Sequence, residues 1–469
     1  MPVRVKKILP FIAATACAAV TASVSFAQDN STVSRENWTY VSPYYEADSN
    51  WWTDFGDSTL DSLIELGRAN SYDIAAAVKR VDAAKALVGI AKSGYYPSVN
   101  ISAGWTKERM SGMTSATKVP STTTDYFSAG ASASWEIDIF GKVRAGVNQK
   151  KASYRATRAE SEGVMLSITA EIASTYFNYR VAQAQLAVAL EHSASQLKVV
   201  KIAEARHETG LASALDVAQA KTVYYSTLST IAPLRAQIHS LRNSLVLLTG
   251  TVADALPCSL DSLAPLPQCN PVPLTGVPAD IIRRRPDIMQ SEQNVSAAAA
   301  AVGIAKKDFL PTLTINGAIG TSSHDAGNLF KSGSFTYSIA PSLSWTLFSG
   351  FSRKYAVAEA KAQMEALIDD YNYTLKNAYF EVDNAIYSYS MYLATITDLN
   401  ETENQSHIAL TRSVELYKTG NSNFTPVADA QMSFLTYTNS LITAKGNALN
   451  ALVSLYKALG GGYSDIKTE

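Results

Sequence analysis

Hydrophobic and polar positions alternate with two different periods along this 469-residue chain. In four segments the period is two; in the first of them, Val99, Ile101 and Trp105 interleave with serine, asparagine and glycine. Elsewhere apolar residues recur at spacings of three and four, which is the period of a helix that buries one face. The pattern therefore predicts groups of helices separated by four β-strands, at about 98–106, 126–137, 311–320 and 335–347.

The helical pattern is longest after each pair of strands. Residues 142–206 contain no proline, and as one helix they would span about 100 Å. The first half carries a coiled-coil seam made of Ile168, Ile172, Thr175, Tyr179, Ala182, Leu186, Ala189, Ser193, Leu197 and Val200. The second half carries a matching seam made of Tyr371, Leu375, Ala378, Val382, Ala385, Tyr389, Tyr392, Ile396 and Leu399. Helices this long need an extended partner surface, because an average helix has only about 11 or 12 residues.

The two halves of the chain repeat each other. The segment GIAKSGYYPSVN begins at Gly89 and GIAKKDFLPTLT begins at Gly303, and each follows an alanine-rich helical stretch. Trp135 in SWEI corresponds to Trp345 in SWTL. Each half has the order helix, two strands, two helices, which indicates an internal duplication.

These patterns divide the chain into six parts. They are a signal peptide (1–27), an N-terminal extended segment (28–57), a first repeat (58–250), a linker loop (251–278), a second repeat (279–460) and a C-terminal tail (461–469).

The N-terminus is typical of an exported protein. Arg4, Lys6 and Lys7 precede an apolar run that ends in Ser-Phe-Ala at Ala27, which predicts a signal peptide cleaved after Ala27. A second interpretation takes Ala14-Thr15-Ala16-Cys17 as a lipoprotein site, with Cys17 as the acylated first residue. Both interpretations place the mature chain outside the cytoplasm.

Charge and cysteine content narrow the possible functions. Removing residues 1–27 takes away three of the 40 basic residues and none of the 41 acidic ones, which leaves a net charge of −4. Nucleic acid is therefore not an expected partner. Cys258 and Cys269 flank the loop CSLDSLAPLPQC, and in an oxidising compartment they form either a disulfide or two unpaired thiols.

The strands have two possible environments. After the signal no apolar run reaches the roughly 20 residues of a membrane helix, so any membrane crossing must use strands. Strand lengths of about 9 to 11 residues and terminal aromatics favour membrane strands, although a half-buried soluble sheet would alternate in the same way. The aromatics are Trp105, Phe127, Trp135 and Trp345. Four strands cannot close a barrel, so several chains must share one.

A short motif, Arg284-Arg285-Pro286-Asp287-Ile288, stands where a helix of the second repeat begins. Together with the duplication and the strand placement, it resembles the TolC-like outer membrane factor family, in its efflux branch (resistance-nodulation-division, NodT-type), from about residue 51 to 461. The resemblance implies an α+β membrane protein with a trimeric 12-stranded β-barrel, four strands per chain. A long α-helical coiled-coil barrel would continue it into the periplasm of a Gram-negative bacterium, below the outer membrane.

The resemblance also implies a function. It predicts the outer-membrane channel component of a tripartite efflux system, a passive gated export duct for small molecules. The expected partners are two further copies in a homotrimer, a periplasmic adaptor (membrane fusion) protein, an inner-membrane proton-driven pump and outer-membrane lipids. Two alternatives remain: the outer-membrane duct of an ATP-driven protein secretion system, and a structural or adhesive trimeric surface protein.

In this family the periplasmic end is gated by the turns between the long helices and their successors. The resemblance places those turns at Gly210 and Gly420, where a helix must stop and reverse. It places Asp429 at the gate-lining acidic position of the second repeat and Asp216 at its counterpart in the first. Met432 stands where other members have a basic residue, so a salt bridge at that point is not expected.

The sequence offers no catalytic chemistry. Its five histidines are scattered, and HExxH, Gly-rich phosphate-loop and GxSxG patterns are absent from it. The S-x-x-K match at Ser195 and Lys198 lies within the coiled-coil seam and lacks companion motifs. The sequence therefore predicts a protein that is not an enzyme and holds no cofactor or metal.

Overall fold

The computed structural model describes residues 50–113, 120–267 and 284–461. The first half contains α1 (Ser58–Asn70), α2 (Tyr72–Ser93), β1 (Ser98–Met110), β2 (Thr122–Ile137), α3 (Lys142–Glu208) and α4 (Ala214–Thr249). The second half contains α5 (Pro286–Lys307), β3 (Thr312–Ser323), β4 (Phe335–Ser344), α6 (Ser352–Lys418) and α7 (Thr425–Ala458). The long helices α3 and α6 both have 67 residues, or about 100 Å each, as a duplication requires.

The helical stretch before β1 is broken once, where the sequence predicted a single helix. Ser71 leaves the helical conformation, with φ −58° and ψ 127°. The break lies beside the end of α4, where a Cβ added to Gly250 would overlap the carbonyl oxygen of Asn70. The close approach of the two chain segments explains the glycine and accompanies the division into α1 and α2.

The four strands form one antiparallel sheet in the order β1-β2-β3-β4. The register aligns Ile101 with Ala131, Ala131 with Ile319, and Ile319 with Tyr337. Because side chains alternate between the faces of a sheet, the predicted apolar positions of all four strands share one face. Within the chain β1 and β4 are edge strands, so each needs a further strand to complete its hydrogen bonds.

Four strand boundaries differ from the sequence-based ones by three or four residues: the ends of β1, β3 and β4 and the start of β2. The β1–β2 hairpin continues past residue 106 to a Met110–Thr122 pair, through threonine and charged residues that carry no apolar alternation. Conversely, β4 ends at Ser344 rather than 347. Its partner β3 begins at Thr312, after Pro311, which has no N–H to continue the ladder.

The helices form a layer in which α3 is central. It packs against α2 and α5 toward the strands, and against α4 and α7 toward the far end. The other long helix, α6, packs against α5 and α7. One edge of the layer is therefore made by α2 and α4, and the other by α6. In the part of the chain that the structure describes, no helix is long and apolar enough to cross a bilayer.

Most seam positions are buried or half-buried in this layer. Ile172 of α3 and Val382 of α6 are completely buried in the same main core. Leu197 is an exception, since it is exposed while Gln196 and Val200 take the buried positions. The buried line here runs through Ser193, Gln196 and Val200, which keeps a spacing of three and four but places the polar Gln196 in the seam instead of Leu197.

The described end of the N-terminal segment, predicted to be extended, is a packed turn. Residues Trp51–Phe55 form a 3-10 turn. Trp51 is buried and stacks on Tyr456 with ring centroids 5.1 Å apart, and the Tyr456 hydroxyl donates to Asp54 at 2.8 Å. Aromatic contacts attach the turn to the core. These contacts form only when the first and last described segments of the chain pack together.

Arg285 of the Arg-Arg-Pro-Asp-Ile motif is a structural clamp. Its buried guanidinium donates to both carboxylate oxygens of Asp287, to Glu381 of α6 at 2.5 Å, and to the carbonyl oxygen of Ala458 at 2.9 Å. Pro286 occupies the first turn of α5, where its missing N–H costs nothing. The motif therefore fixes the start of α5 to α6 and to the end of α7.

A second buried arginine fixes the connection between the repeats. Arg180 of α3 is 2% exposed and donates to the carbonyl oxygens of Ser259, Leu260 and Ser262. Its guanidinium also lies over the ring of Tyr176. A buried cation with this many partners holds the described part of the linker, up to residue 267, against the helical layer.

Candidate functional site

The candidate site is the end of the helical layer farthest from the strands, where both long helices reverse. Gly210 and Gly420 have φ values of 75° and 81°, a conformation that suits glycine at a helix end. The N–H of Leu211 donates to the carbonyl oxygen of Arg206 at 2.7 Å, and the N–H of Asn421 donates to the carbonyl oxygen of Leu416 at 2.9 Å. The two turns therefore close their helices in the same way.

Arg206 links the two turns. Its guanidinium donates to the carbonyl oxygens of Tyr417 and Lys418 in the last turn of α6, at 2.7 and 3.1 Å, and to that of Leu211 at 3.3 Å. It also lies over the Tyr417 ring, 4.9 Å from the centroid. The carbonyl groups at a helix C-terminus have no partner within the helix, and they carry partial negative charge. A guanidinium there donates hydrogen bonds to the carbonyls and offsets the charge. One side chain thus joins the ends of α3 and α6.

A small apolar cluster, separate from the main core, surrounds this link. All four helices of the two hairpins contribute to it through Val199, Val200, Ala203, Ala220, Tyr417, Phe424 and Val427. Tyr417 and Phe424 meet edge to face at 5.3 Å. We call the cluster together with Arg206 the tip lock. Because its contacts are few, the tips are held together less strongly than the main core.

Asp216 has a local partner at the start of α4. The Ser213 hydroxyl donates to its carboxylate at 2.9 Å, and the Asp216 N–H donates to the Ser213 oxygen at 3.2 Å. This reciprocal pair caps the helix. Burial raises the pKa of Tyr417, and the negative charge of Asp216 raises it further. Asp216 therefore faces the tip lock while its side chain caps α4.

Asp429 lies in a different environment, an open groove between α6 and α7. Two further carboxylates, Asp398 and Glu401, line the groove, which has a volume of about 710 Å³. Asp429 is the fifth residue of α7, whereas Asp216 is the third of α4. Asp216 does not line this groove. Asp429 follows Gly420 by nine residues (429 − 420), whereas Asp216 follows Gly210 by six (216 − 210), so the two do not occupy equivalent positions of the repeat.

Two contacts made by charged side chains at the tips were not predicted from the sequence. One is Arg206, and the other is the bridge between Lys221 of α4 and Glu204 of α3, at 2.8 Å. A basic residue in the last turn before Gly210 was a readable signal for Arg206. Met432, the position without a basic residue, is exposed on α7.

The remaining predicted residues lie outside the tips. Cys258 is exposed in the linker, whereas Cys269 and Cys17 fall outside the described residues, so the disulfide and the lipidation stay predictions. Within the described ranges no group of three or more His, Cys, Asp or Glu side chains is placed to hold a metal ion.

This architecture defines a class of protein. A sheet with two open edges continues into a single layer of very long helices whose own edges are open too. Such a chain is one segment of a ring that encloses a channel.

The chain belongs to the outer membrane efflux protein family, whose sequence pattern matches it twice, over residues 63–251 and 277–461. It is similar to the probable efflux pump outer membrane protein TtgC of Pseudomonas putida, with 28% identity over 425 residues that cover 89% of this chain and 86% of the relative. It is also similar to the solvent efflux pump outer membrane protein SrpC of the same species, with 28% identity and 87% of each chain covered.

Solved structures share the fold. The outer-membrane channel OprN superimposes with a TM-score of 0.84 and 25% identity, over 92% of this chain and 97% of that one. VceC of Vibrio cholerae does so with a TM-score of 0.81 and 26% identity, over 89% of this chain and 100% of that one. The predicted family, trimeric fold class, outer-membrane location and role as an efflux channel component are thereby confirmed.

Proposed function

We propose that the chain is the passive, gated duct of a tripartite efflux system and catalyses no reaction itself. Two partners complete the system: a periplasmic adaptor protein and a proton-driven pump in the inner membrane. The relatives TtgC and SrpC, each named as the outer membrane protein of an efflux pump, support this assembly. The sequence supports it as well, because it contains no phosphate-binding loop through which the chain could use ATP.

The cargo of this duct is a range of small molecules. Relatives of similar identity are named for the efflux of toluene, of antibiotics and of solvents, and for the export of pyoverdine. These compounds share neither charge nor polarity. A duct that passes such different compounds leaves substrate selection to the inner-membrane pump. The same channel wall can therefore serve many substrates.

The gate is the end of the channel formed by the tips. The tip lock is the observation that carries this proposal, because it ties both hairpins together where the helices reverse. Asp429 and Asp216 contribute negative charge at this end. A ring of carboxylates, three copies of each in the trimer, raises the local concentration of cations and disfavours anions.

Single-channel conductance of the purified trimer in a planar bilayer tests the duct and the role of Asp429. We expect a small, cation-selective conductance for the wild type. Asp429→Ala removes a charge without removing a helix cap, so it should raise the conductance severalfold and weaken cation selectivity. Asp370→Ala is the matched control and should resemble the wild type, because Asp370 is an exposed carboxylate in the first third of α6, far along the chain from the tip at Gly420.

Two results would contradict parts of the proposal separately. A folded trimer with no conductance in any variant argues against a duct. Conductance in all variants, with unchanged selectivity in Asp429→Ala, leaves the duct intact and removes Asp429 from the gate. Asp216→Asn, which keeps a side-chain acceptor for Ser213, tests the second carboxylate without uncapping α4.

A further inference from the structure

The sheet meets the helical layer at four junctions, two in each repeat. They are the segments 89–97 and 303–311 before β1 and β3, and 138–144 and 348–354 after β2 and β4. These four segments contain seven basic and two acidic residues, although the net charge of the whole chain is −1. The basic residues are Lys92, Lys142, Arg144, Lys306, Lys307, Arg353 and Lys354. Because the helix-side ends of neighbouring strands pair with one another, this positive charge is concentrated at one level of the molecule.

Two of these basic residues are exposed and equivalent in the repeat. Lys92 and Lys306 stand at the same position of the two GIAK segments, and both are exposed. Lys142 and Lys307 are used within the chain, since Lys142 pairs with Asp308 and Lys307 donates to a backbone carbonyl, each at 2.7 Å. In the described part of the chain, neither Lys92 nor Lys306 forms an ion pair. Their charges are therefore available to a ligand.

Two indole groups place the turns after α2 and α5 on the lipid-facing side of the junction. Trp135 donates to the carbonyl oxygen of Tyr95 at 3.1 Å, and its repeat equivalent Trp345 donates to that of Phe309 at 3.0 Å. Trp135 pairs with Ile315 on the apolar face of the sheet. That face meets lipid in an outer-membrane barrel, because the lumen of such a barrel is polar.

Each exposed lysine lies in the same turn as one of these carbonyl groups. The N–H of Tyr95 donates to the carbonyl oxygen of Lys92 at 3.0 Å, and the N–H of Phe309 donates to that of Lys306 at 3.4 Å. Residues three apart in a helical turn are neighbours on one side. A lysine side chain also extends along apolar surface while its ammonium group stays in water. Both ammonium groups can therefore reach the boundary between the apolar face and water.

Exposed aromatic rings mark this level as the edge of the bilayer. Tyr96, Phe348 and Tyr355 are 72%, 74% and 68% exposed. Aromatic side chains collect at the level of the lipid headgroups in membrane proteins, and tyrosine does so because its ring is apolar and its hydroxyl is polar. The helices of this family lie in the periplasm. The junction is therefore at the headgroup level of the periplasmic leaflet.

An open apolar trough runs along the sheet from this level. One rung across the four strands consists of Val99, Ala133, Gly317 and Ile339, with small residues on the central strands and larger ones on the outer strands. Ala131 continues the floor, and the trough has a volume of about 570 Å³. The floor is two strands wide, or about 10 Å, which admits a hydrocarbon chain. A lipid with its headgroup at the end of α2 can therefore place an acyl chain on this floor.

We infer that the junction is a binding site for an anionic glycerophospholipid of the periplasmic leaflet. In each repeat the exposed lysine, Lys92 or Lys306, contacts the headgroup phosphate, and in the first repeat an acyl chain occupies the trough. Charge complementarity selects this occupant, because basic residues at a membrane surface attract a lipid with net negative charge more than a zwitterionic one. The contacts fix the height of the channel in the membrane.

Quenching of tryptophan fluorescence by brominated lipids tests the site, because bromine quenches an indole only at close contact. Trp135 and Trp345 are the reporters in a chain with Trp38→Phe and Trp105→Phe, since both tryptophans of the 3-10 turn are buried. The trimer is reconstituted in mixed vesicles in which either phosphatidylglycerol or phosphatidylcholine carries the bromine. With both lysines intact, we expect a preference of roughly fivefold for phosphatidylglycerol at the reporters.

Three double variants separate the two lysines from general charge. Lys92→Gln with Lys306→Gln should remove most of the preference, whereas Lys92→Arg with Lys306→Arg should retain it. Lys198→Gln with Lys201→Gln is the matched control and should also retain it, because both of these lysines are exposed near the far end of α3. Loss in the first pair alone supports the site.

Three results would overturn the inference. Equal quenching by the two lipids in the chain with both lysines intact would mean that the anionic headgroup is not selected. Equal loss in the control pair would assign the preference to overall charge rather than to the junction. Loss of the preference on addition of inorganic phosphate at constant ionic strength would assign the lysines to a soluble anion. The first result needs no lysine variant, so it decides even where the double variants fail to form trimers.

Discussion

At the scale of single residues, a buried histidine contact halfway along the helices leads us to expect a pH-dependent stability of the layer. His192 of α3 is buried against Phe434 of α7, with ring centroids 4.9 Å apart, and His407 of α6 lies on the same ring at 5.0 Å. Burial lowers the pKa of His192, and His407 lowers it further, whereas the nearby Glu191 and Glu403 oppose the shift. Above pH 6.5 the imidazole of His192 is therefore neutral, at the point where the three helices α3, α6 and α7 meet.

The stability of this contact should fall in acid. The pKa of His192 is lowered from 6.5 in the folded chain, so the unfolded state binds the proton more readily. The full contribution is present above pH 6.5 and is lost as the pH falls toward the lower folded value. We expect the wild type to lose roughly 1–3 °C more in Tm than His192→Leu between pH 7.5 and about 5.5.

Differential scanning calorimetry of the detergent-solubilised trimer provides the measurement. His239→Leu is the control, since His239 is exposed on α4 and should leave the pH dependence as in the wild type. The same loss of Tm in His192→Leu as in the wild type would mean that His192 does not carry the effect.

At the scale of elements, the repeat made most of the fold predictable. The seams and the matched segments of the two halves sufficed to anticipate two helices of equal length and four strands. The ends of β4 and β1 were missed because they depend on Pro311 and on the register of the partner strand, neither of which shows as an apolar pattern. The capping pattern from Ser213 to Asp216 was readable in the sequence, but it was interpreted only as gate charge.

Contacts between residues far apart in the chain could not be predicted in this way. Arg206 and Tyr417 lie 211 positions apart, and no local pattern shows that the two helix ends are neighbours. Trp51 and Tyr456 are another example, because their stacking requires the first and last described segments to pack together. Sequence patterns predict the elements, whereas such contacts depend on how the elements meet.

The packing of α3 on α7 provides a prediction at this scale. A Cβ at Gly446 of α7 would overlap the Val181 side chain of α3, so the two helices approach closely here. Gly446→Ala should therefore lower stability by about 1–3 kcal/mol, despite the better helix propensity of alanine. Gly303→Ala on α5, where a Cβ meets nothing within 4 Å, should be neutral or stabilising by up to about 1 kcal/mol.

Urea titration followed by circular dichroism compares the two glycine variants. Destabilisation of Gly446→Ala alone supports the close contact. If both variants were equally stable, Val181 would be able to move aside and the approach of α3 to α7 would not limit the packing.

At the scale of the whole molecule, stability is distributed unevenly along the channel. The main core lies midway, where the linker and all seven helices α1–α7 meet. The described contacts that hold the tips are the smaller cluster, the Arg206 hydrogen bonds and the Lys221–Glu204 bridge. The helices pack most extensively at mid-height and least at the tips. The tips can therefore change conformation without disturbing the rest of the structure. This distribution suits the proposed gate.

Removing the arginine of the tip lock should therefore open the channel without unfolding it. Net stabilisation by hydrogen bonds to a charged group is about 1.5–3 kcal/mol, and about 1.4 kcal/mol changes a population ratio tenfold. Arg206→Ala should raise the open fraction roughly tenfold or more and admit a bulky antibiotic through the outer membrane, measured as a lower inhibitory concentration. Arg206→Lys, which keeps the charge but loses the fork that reaches two carbonyl groups, should have an intermediate effect. Arg155→Ala, an exposed arginine on the same helix, should resemble the wild type; if Arg206→Ala did too at equal trimer levels, the apolar cluster alone would hold the tips closed.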